Sequence, residues 1–473
     1  MPTAPTPSTG SSAPVEPAPG RRPGIGLPPE WLLAGAVVLL GLALRLHDYT
    51  LAPAFTDNAD EVQFTWAGLN LLLHGDAYTW SYFPGYASYT RFDAFGTNYP
   101  LVHHWLDHPP LFSYLMGGWA LLAGSRDLAS TGPQVVRLPP ILLSTAAVLL
   151  TYLLGRRLLG RWAALLGAAL LAVTPAAVLL GREAEPEALL AVLFLLALWA
   201  GLLISEEKGG RSVQALLLTC CLLAPLAKVS GIAVAGSLAV CLLACGRWRV
   251  ALATAGAGAG GLLLWLLYGA LIDWQLFLHI TQLQAQNRRG VLTGFDLIQS
   301  VAGVNRRLRD GWWLLGWIGL GALSVGREHR AALFLAWPAI AYAGAIALLA
   351  GEQNTQQYGW YKWMVYPEVY LAAGWLAWLA FRRRSLPLAL LLLLTGWTTG
   401  TNWWLGGGEE WTPAPLLLAL LLALPVLAAA LAAWRPRPPY PTVARILIGA
   451  AVGTALLGSA IQSFAVAALY ARL

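Results

Sequence analysis

The chain is 473 residues long, 58% hydrophobic and only 11% charged. Soluble domains sit near roughly 45–50% apolar and 25% charged residues, so this composition excludes a soluble enzyme and predicts an all-α polytopic membrane protein. The net charge of +7 is carried largely by arginines in short loops, the pattern of cytoplasmic loop ends, and no basic module of the kind that binds nucleic acid is apparent.

Residues 1–29 are rich in Pro, Ser, Ala and Thr and include Arg21-Arg22. This predicts a disordered cytoplasmic tail, followed by a transmembrane domain over 30–473 whose first helix is an uncleaved anchor. A helix needs about 20 apolar residues to cross a bilayer. Runs of that order recur near 31–47, 134–154, 162–180, 187–204, 212–227, 230–245, 250–272, 311–325, 331–350, 367–381, 386–402, 413–433 and 444–468. The run near 110–124 is shorter, roughly 22 Å as a helix. Leaving it out of the membrane puts Arg156, Arg157, Arg161, Lys208, Arg211, Arg247, Arg249, Arg327, Arg330, Arg382, Arg435 and Arg437 on the cytoplasmic side, as the positive-inside rule requires.

The expectation is therefore about thirteen spans, with the N-terminus cytoplasmic, the C-terminus outside and the 110–124 run lying as an interfacial helix. The outer face then receives a first loop over 48–133 with two interfacial helices, the link Gly181–Pro186, the Lys228 turn, a large loop over 273–310, and the loops 351–366 and 403–412. The cysteines Cys220, Cys221, Cys241 and Cys245 all fall in apolar runs and read as small buried hydrophobes. No internal repeat is evident.

The uncommon polar chemistry gathers in the outer loops. Asp57, Asp60 and Glu61 put three carboxylates within five residues, and Phe64, Ala67, Leu71 and His74-Gly75 follow at helical spacing. That predicts an amphipathic helix with a glycine stop, its apolar face on the membrane. Asp57 and Asp60 read equally as caps of that helix. Asp107 and His108 precede Pro109-Pro110. In the link, Arg182, Glu183, Glu185 and Glu187 lie between two spans, where charges are costly in lipid and face a wet cavity or serve as solvated helix ends. Lys228 either snorkels or contacts a phosphate, and Arg288 and Arg289 of the large loop are further phosphate candidates.

Asp60-Glu61, Phe64 and Leu71-Leu72-Leu73-His74-Gly75-Asp76 resemble the first outer-loop signature of the GT-C glycosyltransferases, in particular the protein O-mannosyltransferase-like family and the lipid A aminoarabinose transferases. His108-Pro109-Pro110-Leu111-Phe112-Ser113-Tyr114, Arg137-Leu138-Pro139, the stretch Tyr152 to Arg161 and the stretch Gly181 to Leu190 are similar to later motifs of the same families, in the same order. The resemblance implies a GT-C fold with an outward-facing site and inverting transfer from a polyprenyl-phosphate sugar. It assigns the general base to Asp60 and an accompanying acid to Glu187 or Glu183. Glu61, Asp107, His108, Arg182, Tyr361 and Lys362 fall among its donor- or acceptor-binding positions, and Lys228 joins these candidates from its place at the outer face alone. It also offers Asp107 and His279 as ligands of a divalent metal, although Leu278 stands where the aminoarabinose transferases have another acid.

The chemistry is coherent on its own terms. An acceptor hydroxyl must lose its proton as it attacks the anomeric carbon, and a positioned carboxylate takes it. No strand–Gly-rich loop–helix unit for a nucleotide is apparent, so a lipid-delivered donor fits an outer site. The acceptor is a lipid, glycan or protein hydroxyl. The rival reading is a transporter or flippase of lipid-linked glycans, whose marks are paired repeats and charged, interrupted mid-membrane helices.

Overall fold

The computed structural model describes residues 28–55, 58–286, 311–349, 359–405, 414–465 and 467. It is mostly helical. Helix α1 (Pro29–Leu46) is followed by α2 (Asp60–His74), a small sheet and α3 (Leu111–Leu122). The bundle continues through α4 (Pro133–Val136), α5 (Leu138–Leu158), α6 (Arg161–Val173), α7 (Pro175–Leu180), α8 (Pro186–Ser205), α9 (Arg211–Ala227), α10 (Ile232–Ala244) and α11 (Trp248–Gln286). Later helices are α12 (Gly311–Ser324), α13 (Trp337–Leu349), α14 (Tyr366–Arg383), α15 (Leu386–Leu405), α16 (Ala414–Trp434) and α17 (Tyr440–Phe464). Among the described residues six helices are long and apolar enough to cross a membrane, and shorter apolar helices accompany them. The expected thirteen counts every apolar run as a whole span.

Two expected spans take a different form. The run 162–180 divides into α6 and α7 because Pro175 has no N–H to donate and holds Thr174 in extended backbone, at φ −69 and ψ 127. The run 250–272 continues past its predicted end. Asp273 breaks the helical path at φ −159 and ψ 99, and its Oδ1 accepts the Leu276 N–H at 2.9 Å. Residues 274–286 thereby become an arm beyond the apolar part of α11.

The first loop is not wholly helical. β1 (Thr79–Trp80), β2 (Thr90–Ala94) and β3 (Thr97–Val102) form an antiparallel sheet of order β1-β3-β2, with Trp80 opposite Leu101 and Ala94 opposite Thr97. Phe95 and Gly96, at φ +49 and +77, make its two-residue hairpin turn. Helix α2 also departs from expectation. It is buried from Glu61 to Leu71, enclosed by α3 and the sheet instead of resting an apolar face on lipid. Glycines allow this: a Cβ at Gly68 would lie 1.7 Å from the Ser113 carbonyl oxygen, and one at Gly117 would lie 2.1 Å from the Gly68 carbonyl carbon. Helices α6 and α14 meet in the same way, with Gly374 against Gly167, the small-residue contact common between helices in membranes.

Candidate active site

Asp60 is the first residue of α2, and its backbone N–H donates to Asn58 Oδ1 at 3.1 Å. The helix entry is fixed by Trp80, whose Nε1 donates to the Ala59 carbonyl at 2.8 Å. Asp60 stays half-buried, whereas Glu61, next in sequence and about 100° around the helix, is wholly buried. Arg137 grips Glu61 with both arms of its fork, Nε to Oε2 at 2.7 Å and Nη2 to Oε1 at 2.5 Å, and Nη1 reaches the Tyr49 and Pro53 carbonyls at 2.8 Å each. Glu61 therefore fastens α2 to α5 and to the end of α1.

Around Asp60 the chain gathers further acids. Asn58 Nδ2 donates to Glu185 Oε1 at 2.8 Å and to Glu183 Oε2 at 3.2 Å, tying the link before α8 to the head of α2. Asp107 is buried and accepts from Ser81 Oγ and Tyr86 Oη, both at 2.7 Å. Its carbonyl accepts from Gln284 of the α11 arm at 2.5 Å. Burial pushes the Asp107 carboxyl up to about 6; the Tyr86 and Ser81 hydroxyls pull it down, and the negative Asp60 adds to the rise. The Glu185 carboxyl is also raised well above its ordinary value, first by burial, then by Asp60 and Glu187. The His108 ring lies 5.2 Å from that of Phe64, one helical turn beyond Asp60.

A cation closes the group. Lys228, between α9 and α10, forms a buried ion pair with Glu187 and lies 4.1 Å over the Tyr361 ring. Burial alone would lower the Lys228 ammonium, but Glu187, Tyr361 and Glu185 outweigh it and hold the ammonium above its ordinary value. Glu187 Oε2 has no partner among the described residues. Lys362, beside Tyr361, is buried.

A model of the dolichyl-phosphate-mannose-protein mannosyltransferase family matches residues 107–273, a stretch that holds Asp107, Arg182, Glu187 and Lys228. No curated protein matches the chain by sequence. Among solved structures, ArnT from Cupriavidus metallidurans bound to undecaprenyl phosphate is 17% identical with a TM-score of 0.54, covering 92% of this chain and 77% of that one. Its apo form gives a TM-score of 0.55 at the same identity and coverage. Arabinosyltransferase EmbB from Mycobacterium smegmatis is 16% identical with a TM-score of 0.55, covering 96% of this chain and 42% of that one. The chain has the GT-C fold. The family match begins at Asp107, so Asn58 and Asp60 lie outside it.

Other anticipated site residues are placed differently. Arg182 is fully buried and donates to the Ala52, Leu44 and His47 carbonyls at 2.9, 2.7 and 2.6 Å. It holds the end of α1 in the GT-C bundle, as Arg45 holds Ser144 and the carbonyls of Leu171 and Ala172. His279 lies against Gly85, where a Cβ would come within 2.7 Å of its ring, beside the Tyr86 that bonds Asp107. Among the described residues no group of three or more His, Cys, Asp or Glu is arranged to hold a metal ion. Asp107 and His279 are two ligands, fewer than a firmly held ion needs, and both Asp107 oxygens already accept hydroxyls; the described residues do not fit a resident metal. Asp57, Arg288 and Arg289 lie outside the described residues. Sequence reasoning did not single out Asn58, Ser81, Tyr86, Arg137 or Gln284 for the site. They are common polar residues whose partners, apart from the local contacts of Asn58 with Asp60 and of Ser81 with Phe83, are distant in the chain.

Proposed function

We propose that this protein is an inverting glycosyltransferase that moves a sugar from a polyprenyl-phosphate donor to an acceptor hydroxyl at the outer face of the membrane. The observation that carries this reading is one constellation holding a half-buried carboxylate, Asp60, at a helix start, with the buried Lys228 in the same acidic group. Asp60 takes the proton of the acceptor hydroxyl as its oxygen attacks the anomeric carbon. The bond from that carbon to the phosphate oxygen breaks, and the phosphate leaves with the electron pair. Lys228, aimed by Glu187 and Tyr361, stands as the cation facing the leaving phosphate, with Lys362 next to Tyr361 in the chain.

A cavity of about 520 Å³ between α10 and α13, lined by Ala233, Gly236, Val240 and Trp337 among others, supports a lipid-borne donor. Two of its lining residues, Ala233 and Ala341, stand three and one residues along the chain from Ser230 and Tyr342, whose hydroxyls are 3.4 Å apart, and Ser230 is two residues from Lys228. The test is incubation of the reconstituted protein with a panel of polyprenyl-phosphate sugars, reading free polyprenyl phosphate. Asp60→Asn is expected to lower turnover by about 10²–10⁴-fold with membrane insertion intact; turnover near wild type would remove the mechanism. A flippase would instead move labelled lipid across vesicles and release no polyprenyl phosphate. Tags near residue 208 are expected to be cytoplasmic and tags near 295 external.

A further inference from the structure

The end of α2 remote from Asp60 carries a second polar knot. Asp76 follows the left-handed Gly75, at φ +73, and meets two consecutive imidazoles: His103 Nδ1 at 3.0 Å and His104 Nδ1 at 2.9 Å. Successive side chains of an extended chain point to opposite faces. His104 adopts φ +55, which a residue with a Cβ seldom does, and this turn lets both rings reach one carboxylate. Tyr78 stacks on His103 with ring centres 4.3 Å apart, and the Trp105 N–H donates to the Ala77 carbonyl at 2.8 Å. Asp107 and His108 come directly afterwards. The loop entering the site is thus strapped to the far end of the helix whose first residue is Asp60.

We propose that Asp76 is a positioning residue: through His103 and His104 it sets where the Asp107–His108 segment stands relative to Asp60. The functional side of this rests on reading Asp60 as the base. The groups facing the knot are Tyr78, Tyr268 of α11 and, beside Tyr268, Tyr114 of α3. Partial burial acts to raise the Asp76 carboxyl, but the two histidines outweigh it and hold it below its ordinary value.

The strap is tested by amide hydrogen exchange over residues 102–108 of the full chain in nanodiscs. After correction for intrinsic exchange, Asp76→Asn is expected to exchange roughly two- to fivefold faster than the wild type, with Asp76→Glu restoring part of the protection. A His103→Ala/His104→Ala double variant removes both donors and should exchange faster to the same extent. Unchanged exchange in Asp76→Asn overturns the strap. In turnover, Asp76→Asn should lower kcat by roughly two- to fivefold with the donor KM unchanged. Exchange does not depend on catalysis, so a strap that behaves as stated while Asp60→Asn retains turnover overturns the reading of Asp60 and leaves the strap standing.

Discussion

The two ends of the helical bundle use charge in opposite ways. At the end remote from Asp60, Glu206 pairs with Arg157, Lys208 and Arg330, and Glu30 pairs with Arg156 and Arg161; the basic partners are all substantially exposed. At the Asp60 end, Glu61, Asp107, Glu183, Glu185, Glu187 and Lys228 are all buried. Water screens the first set, so each pair there is worth little. The second set is held by specific partners, and burial shifts its proton affinities. Titration and the loss of a partner should therefore matter at one end and hardly at the other.

That contrast can be broken most directly at Arg137. Arg137→Ala leaves Glu61 buried without its fork, and a buried pair cut on one side loses about 3–5 kcal/mol. Denaturant unfolding in detergent should show a loss of that order; a loss below about 1 kcal/mol would mean that water reaches Glu61. The next effect is in pH. The Asp107 carboxyl stands near 6 in the folded chain against about 3.9 for an unfolded Asp, so the folded state binds the proton more tightly. Its contribution is complete below about pH 4 and is lost as pH rises through 6, on the order of 2–3 kcal/mol. Unfolding midpoints between about pH 4 and 7 should show that slope in the wild type and a flatter one in Asp107→Asn. The smallest change belongs to the remote end: Glu206→Gln should cost less than about 1 kcal/mol, and less still at high salt.

The sequence was most informative where the physics is local. Helical spacing after Asp60 and the glycine at 75 locate α2, which runs from Asp60 to His74 with Gly75 in the left-handed region. Pro175 could have warned that the run 162–180 does not continue as one helix. The sheet was harder to foresee, because β1 has only two residues and exists through its pairing with β3. Arg45, Arg137 and Arg182 were hardest. Alone they look like loop-end charges, yet most of their partners are oxygens many residues away, and nothing adjacent in the chain announces them. The acids of the site could be read one by one, but not which of them would be fastened and which left half-open.

The contact of Gly68 with Gly117 has a consequence for that half-open acid. With no side chain on either residue, the backbones of α2 and α3 touch, and nothing soft lies between them to absorb an added atom. A single methyl group at position 68 would have to wedge the helices apart, and two turns away it would carry the Asp60 oxygens off their mark. The reach of the proposed base is thus set by hydrogen atoms where other residues carry carbon.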